Sequence, residues 1–201
     1  MRVLSLFDGI SCGMVALERA RIPIERYYAY EIEPNAIKIS KKNYPDIIQL
    51  GDVFDTDFCQ FAIQNIDLLI GGSPCTFWSK AKCHTAKQAR ELDTDGVGWK
   101  LFLLLGKGHF SQVYRLYYLN GKAPTLVRCR TETKTNILID ENDICKYKII
   151  SPIEAERLQT LPDNYTEGVP KTRRFEAIAN GWTVDVIAHI LSFIPSVALR
   201  Q

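Results

Sequence analysis

Residues 66–79 read Ile66-Asp67-Leu68-Leu69-Ile70-Gly71-Gly72-Ser73-Pro74-Cys75-Thr76-Phe77-Trp78-Ser79, and the fold is decided here. A short run rich in Ile and Leu gives way at once to turn formers, which predicts a buried parallel strand followed by a loop. In open α/β sheets ligands bind beyond the carboxyl ends of the strands, and Cys75 stands at such an end. Gly71 and Gly72 let the backbone turn tightly and a ligand come close. Pro74 fixes φ just before the thiol. The arrangement favours a presented nucleophile. The alternative is a buried structural cysteine, the commoner fate of a lone thiol among apolar residues.

Toward the N-terminus the strand-then-turn pattern repeats. Residues 2–7 predict a first strand, the turn Asp8-Gly9-Ile10-Ser11-Cys12-Gly13 follows, and residues 14–20 predict a helix with Val15 and Leu17 toward the sheet. A Gly-x-x-x-Gly turn between strand and helix suits a nucleotide-type ligand, and equally an ordinary strand–helix connection. The next strand, Tyr27-Tyr28-Ala29-Tyr30, ends in Glu31. That acid lies about 20 residues after the glycine turn, where such folds place the carboxylate that binds ribose hydroxyls. Pro34 opens a helix that Pro45 ends. Ile47-Ile48-Gln49-Leu50 predicts the third strand, closed by Gly51-Asp52-Val53. Two acids at successive strand ends, with a glycine turn, make a nucleoside pocket the economical account, with Asp8, Glu31 and Asp52 around it. The alternation of strand and helix fixes the class as α/β with a mostly parallel sheet.

Toward the C-terminus the pattern changes. Lys80, Lys82, Lys87 and Arg90 form a local basic run, either a solvated loop or a set of phosphate contacts. His84 lacks the spacing of a metal site or a Cys-His pair. After Gly106-Lys107-Gly108, residues 114–119, the turn Asn120-Gly121 and residues 125–128 predict a β-hairpin. Residues 136–139 and 147–150 predict further short strands, so a domain boundary is placed near Gly106. Ser151-Pro152-Ile153-Glu154 opens a helix with a Ser cap, Pro at the first helical position and Glu three residues after the cap. It is expected to end before Pro162. Asn180-Gly181-Trp182 leads into a last amphipathic helix over residues 184–194.

Composition sets the outer limits. The 201 residues are 46% hydrophobic and 24% charged, the balance of a soluble globular domain with at most a small appendage. A net charge of +2 argues neither for nor against nucleic acid. The cysteines at 12, 59, 75, 83, 129 and 145 form no Cys-x-x-Cys pair. Neither a disulfide framework nor a zinc site is expected, and a reducing cytosol fits. No stretch is long enough to span a membrane, and the first residues lack the apolar core of a signal peptide.

With the Ser-Pro-Cys loop, the two acids and the C-terminal Asn-Gly-Trp, the chain resembles the DNA cytosine-5 methyltransferases, above all small phage and bacterial members. The Phe7-Asp8-Gly9-Ile10 turn is also similar to that of the animal de novo enzymes. The matching stretches are residues 4–13, Glu31, Gly51-Asp52-Val53, Gly72-Ser73-Pro74-Cys75, residues 151–162 and residues 180–184, in family order across nearly the whole chain. The resemblance implies a class I S-adenosylmethionine-dependent methyltransferase fold, Rossmann-like, truncated in the middle, with a small β-rich target-recognition-like region. Residues 1–105 would form the cofactor-binding and catalytic-loop half, residues 106–150 the β-rich remnant, and residues 151–201 the helices that complete the cofactor domain.

The same resemblance implies residue roles. Phe7 would pack on the adenine, and the turn from Asp8 through Gly9 and Ile10 to Gly13 would cradle the methionine moiety of S-adenosylmethionine. Glu31 would take the ribose hydroxyls and Asp52 the adenine amino group, with Ile32, Val53 and Pro74 lining the pocket. Asn180, Trp182 and Val184 would close it. Cys75, as thiolate, would attack C6 of a cytosine flipped out of the duplex, its pKa lowered by Lys80, Lys82 or a bound sulfonium. Ser79, Lys80, Lys82 and Arg128 would touch double-stranded DNA. No metal and no membrane are implied, and the setting would be the cytoplasm of a bacterial or phage-infected cell.

Several departures from the family pattern stand out. The family's Glu-Asn-Val segment, whose Glu holds the cytosine at N3, is missing, and so is its Gln-x-Arg-x-Arg element. Glu141-Asn142 is followed by Asp143 in a polar loop and does not replace it. Only Leu103 to Gly108 separate Phe102 from His109, whereas one parallel crossover needs about a dozen residues. Ala179 stands where the family has Gly, and Thr76-Phe77-Trp78 where it has Gln-Gly-Phe. A catalytically impaired, prophage-type remnant that binds cofactor or DNA is therefore the alternative to an active enzyme. The fourth strand would also lose its neighbour and become an edge, which exposes pairing groups to another chain. A second chain supplying the missing strands is one way to cover it.

Overall fold

The computed structural model describes residues 1–55, 65–72, 116–117, 123, 126, 136–139 and 146–194. The chain divides into two compact units, Met1–Pro74 with Pro152–Gln201, and Cys75–Ser151. The boundary expected near Gly106 lies outside the described residues.

In the first unit, β1 (Arg2–Leu6), β2 (Arg26–Tyr30), β3 (Ile48–Gly51) and β4 (Leu68–Gly71) form a parallel sheet in the order β3-β2-β1-β4. Helix α1 (Cys12–Arg19) connects β1 to β2, and α2 (Pro34–Asn43) connects β2 to β3. Strand residues alternate between the two faces. Val3, Tyr27 and Ala29 join one apolar cluster, while Leu4, Tyr28 and Tyr30 join another with Leu6, Leu50, Val53 and Ile66. The first cluster is the main core. It takes Val15, Ala16 and Leu17 from α1 and Ala36 and Ile39 from α2. Fully burying a side chain such as Leu17 or Ile39 contributes about 1.5–3 kcal/mol.

The return of the chain from the second unit completes this core. Helices α3 (Pro152–Leu158), α4 (Lys171–Asn180) and α5 (Val184–Leu191) follow in order. The spacing of Val184, Ala188 and Leu191 puts them on one face of α5, and all three are buried in the same cluster as α1. Between α3 and α4 the chain is tied down by Glu156, whose side chain is fully buried. It accepts hydrogen bonds from the Asn164 and Thr166 backbone N–H groups, both at 2.8 Å, from the Thr166 hydroxyl, and from Arg174 Nη2 at 2.9 Å. A buried carboxylate needs this many partners to offset its lost hydration.

Two sequence expectations change. The sequence predicts a buried strand over residues 67–70; β4 is parallel as predicted, but only Leu68 and Ile70 of it pack on the core, and Leu69 is 61% exposed. The reason is position: among the described residues β4 is the outermost strand, paired with β1 alone. In the second unit, β5 (Leu116–Tyr117), β6 (Asn136–Leu138) and β7 (Tyr147–Ile149) form a three-stranded sheet. Its β6–β7 pairing is antiparallel, but β5 pairs in parallel with β6. The turn expected at Asn120-Gly121 lies outside the described residues, and Leu126, from the expected second arm, belongs to no strand.

Candidate active site

The four strands of the first unit end level with one another. Leu6 pairs with Tyr30 on one side and Gly71 on the other, and Tyr30 pairs with Gly51. The residues that follow this row, Phe7, Glu31, Asp52 and Gly72, therefore leave the sheet side by side. A register irregularity between Ala29 and Tyr30 brings Gly51 into the row. The strand order also reverses direction at β1, with β2 and β3 on one side and β4 on the other. Carboxyl ends at such a reversal form the ligand crevice of open α/β sheets.

The turn after β1 is tightly specified. Phe7, Gly9 and Ser11 all have positive φ, at 56°, 62° and 60°. For Phe7 and Ser11 that backbone is unfavourable and must be held by its surroundings. Asp8 N–H donates to the Tyr30 carbonyl at 3.0 Å and Gly9 N–H to Glu31 Oε2 at 2.7 Å. The other carboxylate oxygen, Glu31 Oε1, accepts from the backbone N–H groups of Ile32 at 2.8 Å and Glu33 at 2.9 Å. Three backbone donors thus fix Glu31 at the end of β2. A carboxylate has about four acceptor positions, so capacity remains for a ligand hydroxyl.

Asp8 faces the other way. Its Oδ2 accepts from the Ser11 hydroxyl at 2.5 Å and its Oδ1 from the Tyr27 hydroxyl at 2.7 Å. Ser11 in turn shares a hydrogen bond with Ser40 of α2 at 2.6 Å, and Gln49 of β3 donates to Ser40 at 3.3 Å. Burial raises the Asp8 pKa; the hydrogen bonds from Ser11, Ser5 and Tyr27 oppose that rise, and the charge of Glu31 adds to it. The Tyr27 hydroxyl is pushed well up, first by burial and then by the Asp8 charge.

Trp182 reaches the crevice from the far end of the chain. A Cβ at Gly72 would lie 3.0 Å from its Nε1, and a Cβ at Gly13 would lie 3.6 Å from its Cζ3. The indole therefore spans from the start of α1 to the end of β4. Gly13 has no room for a side chain, since its Cβ would sit 2.6 Å from Ile70 Cδ1 and 2.7 Å from the Tyr27 hydroxyl. Cys12 lies beneath, its thiol pushed up to about 12 by burial. A thiol so raised stays protonated and inert at neutral pH.

The expected site residues separate into groups. Phe7, Gly9, Glu31 and Asp52 stand just past the level strand ends, and Trp182 lies against Gly13 and Gly72. Asp52 Oδ1 accepts from the Phe54 backbone N–H at 2.9 Å. Close behind the two acids, Ile32 is 67% exposed and Phe54 88% exposed, while Val53 packs on the second cluster. The Ile10 and Val184 side chains are instead buried in the main core. Asn180 ends α4 with its side chain exposed. Pro74, Cys75, Ser79, Lys80, Lys82 and Arg128 lie outside the described residues. Sequence reasoning missed Tyr27, Ser40 and Tyr165 as supports. The Tyr165 hydroxyl donates to the Ile10 carbonyl at 2.7 Å across 155 residues of sequence, and no local spacing signals such a contact.

The family model described as C-5 cytosine-specific DNA methylase matches residues 1–102 and 82–196. The Type II methyltransferase M.Sau3AI of Staphylococcus aureus is 46% identical over 44 residues, covering 22% of this chain and 11% of its own length. M.NgoBV of Neisseria gonorrhoeae is 32% identical over 85 residues, 40% of this chain and 20% of its own. The orphan methyltransferase M.Rho11sI of Bacillus phage rho11s is 36% identical over 83 residues, 40% and 16% respectively. The matched stretches thus span 11–20% of these curated relatives' length. Among solved structures, S. pombe Dnmt2 methyltransferase has a TM-score of 0.69 at 13% identity, covering 96% of this chain and 97% of that one. The Entamoeba histolytica methyltransferase EhMeth has a TM-score of 0.67 at 13% identity, covering 95% and 96%. At such identities the likeness shows the fold, that of the class I S-adenosylmethionine-dependent methyltransferases.

Proposed function

Because the chain belongs to the C-5 cytosine-specific DNA methylase family, we propose that it methylates C5 of cytosine in double-stranded DNA, with S-adenosylmethionine as methyl donor and Cys75 as nucleophile. The observation that carries this reading is the level row of strand ends, with Glu31 held there by three backbone N–H groups. The donor set suits the cofactor. Glu31 has acceptor capacity for ribose hydroxyls, Asp52 stands one strand away for the adenine amino group, and the exposed side chains of Ile32 and Phe54 offer apolar surface to a purine ring. By the family resemblance Phe7 packs on the adenine and Val53 lines the same pocket. Trp182 closes the side next to Gly13 and Gly72, and by the family resemblance Asn180 at the end of the preceding helix takes part in the same pocket.

Bound there, S-adenosylmethionine supplies an electrophilic methyl group. The chain's own part is to make C5 of cytosine able to take it. Cys75, three residues beyond Gly72, adds as thiolate to C6 of a base flipped out of the duplex. That addition makes C5 nucleophilic. After methylation C5 loses its proton and Cys75 leaves, which restores the aromatic ring. Pro74 stiffens the loop before the thiol, and Lys80 and Lys82 favour the thiolate. Ser79, Lys80, Lys82 and Arg128 meet the DNA backbone. A reducing cytoplasm, bacterial or phage-infected, keeps Cys75 free.

A second reading rests on the missing Glu-Asn-Val segment. Without the Glu at cytosine N3 the chain would bind cofactor or DNA and turn over slowly, because a lost general acid commonly costs about 10²–10⁴-fold in rate. Transfer of tritiated methyl from S-adenosylmethionine to mixed-sequence DNA, with the product located on C5, tests the first reading. Tritium at C5 supports an active enzyme. Cofactor binding without transfer favours the remnant.

A further inference from the structure

We propose that Tyr27 and Asp8 are positioning residues for Glu31, acting through the turn between β1 and α1 without touching the ligand. The proposal rests on the reading that Glu31 holds the ribose hydroxyls. Its basis is the direction in which each group of the turn points. Both Asp8 oxygens are used inward, on the Tyr27 and Ser11 hydroxyls. The next backbone N–H, that of Gly9, is used outward, on Glu31 Oε2. The two bonds belong to adjacent residues, so the first sets the position of the second.

Ser11 shows how strongly the turn is drawn inward. It occupies the residue before α1 at φ 60° and ψ 38°, yet its hydroxyl makes no capping bond to the helix. The hydroxyl goes to Asp8 and Ser40 instead, although a Ser in that place ordinarily caps the helix. Tyr27 and Glu31 lie on the same strand or at its end, four positions apart. Tyr27, 3% exposed, anchors the turn from beneath, and Glu31 receives its outward N–H. Ser40 and Gln49 extend the same hydrogen-bonded chain to β3, the strand that Asp52 follows. Tyr27, Ser11 and Ser40 are all buried beneath the turn, so their effect on a ligand runs through the turn to Glu31.

Calorimetry with S-adenosylhomocysteine, the demethylated product, tests this on the full chain in a cycle of wild type, Tyr27→Phe, Glu31→Ala and the double variant. Tyr27→Phe keeps the ring and removes only the hydroxyl, and Ser11→Ala serves as a second probe that leaves Tyr27 intact. The expected result is an affinity about tenfold weaker for Tyr27→Phe, the size of one hydrogen bond. In the Glu31→Ala background the same change should alter affinity by less than about twofold, because its effect has lost its route. A hydroxyl with only a structural role would lower the melting temperature and leave the affinity of the folded protein unchanged. Unchanged affinity in Tyr27→Phe and Ser11→Ala, or an equal loss in both backgrounds, overturns the proposal while leaving the cofactor site standing if Glu31→Ala weakens binding. No binding by the wild type overturns both.

Discussion

The backbone N–H of Gly9 donates to Glu31 Oε2 at 2.7 Å, and this one bond joins the turn after the first strand to the end of the second. It ties together two sequence signals that are 22 residues apart. The glycine turn supplies the donor, and the acid at the strand end supplies the acceptor. Each is weak evidence alone, since turns and acids are both common at strand ends.

Replacing Glu31 by Ala removes the acceptor of all three backbone N–H groups and the expected partner of the ribose hydroxyls. S-adenosylhomocysteine should then bind more weakly by about 1–3 kcal/mol, the range for a hydrogen bond to a charged group. Calorimetry measures this directly. Equal affinity in variant and wild type would remove Glu31 from the site.

Gly13→Ala is a test of packing. The added methyl would meet Ile70 Cδ1 at 2.6 Å and the Tyr27 hydroxyl at 2.7 Å. One contact is with the core and the other with the hydroxyl that holds Asp8. Overpacking of this kind costs about 1–3 kcal/mol. A urea unfolding curve should show a lower midpoint with an unchanged slope, and a midpoint equal to that of the wild type would contradict the close approach of α1 to β4.

Much of the first unit is legible in the sequence, because its strands are short apolar runs ended by glycine or an acid. The predicted strands at residues 27–30, 47–50 and 67–70 lie within one residue of β2, β3 and β4 at each end. Helix α4 was not expected. Of its ten residues only Phe175 and Ile178 are buried, too few to establish a period. The inward turn of Asp8 was not legible either. Its partners Tyr27 and, through Ser11, Ser40 are 19 and 32 residues away, and a tyrosine in a strand reads simply as a strand residue. The parallel pairing of β5 with β6 is a non-local choice that a local turn signal cannot reveal. The proposed nucleophile is the reverse case: Cys75 stands out in the sequence through the Ser-Pro-Cys loop and lies outside the described residues.

Asp8 gives the fold a pH dependence of definite sign. Burial raises its pKa above the unfolded value, so the folded chain binds the proton more tightly than the unfolded chain does. Stability from this group is then fully present below the unfolded carboxylate pKa, about 4, and is lost as pH rises through the raised folded value. In Asp8→Asn this contribution disappears. Unfolding free energies measured in urea from pH 7 down to pH 4.5 should show the wild type gaining on the variant as the pH falls. A difference that stays constant, or shrinks, would mean that Asp8 is not held in a desolvated site.

The most direct measurement of the central claim is covalent trapping. DNA carrying 5-fluorocytosine should arrest the reaction after methyl transfer, because the fluorine at C5 cannot leave as the proton does. Incubated with S-adenosylmethionine and this DNA, the chain should form an adduct that survives denaturation, with the attachment mapped to Cys75 by mass spectrometry. Cys75→Ser should form none, and Cys12, its thiol raised to about 12, should remain unmodified. No adduct with the wild type, or an adduct that persists in Cys75→Ser, would contradict the account.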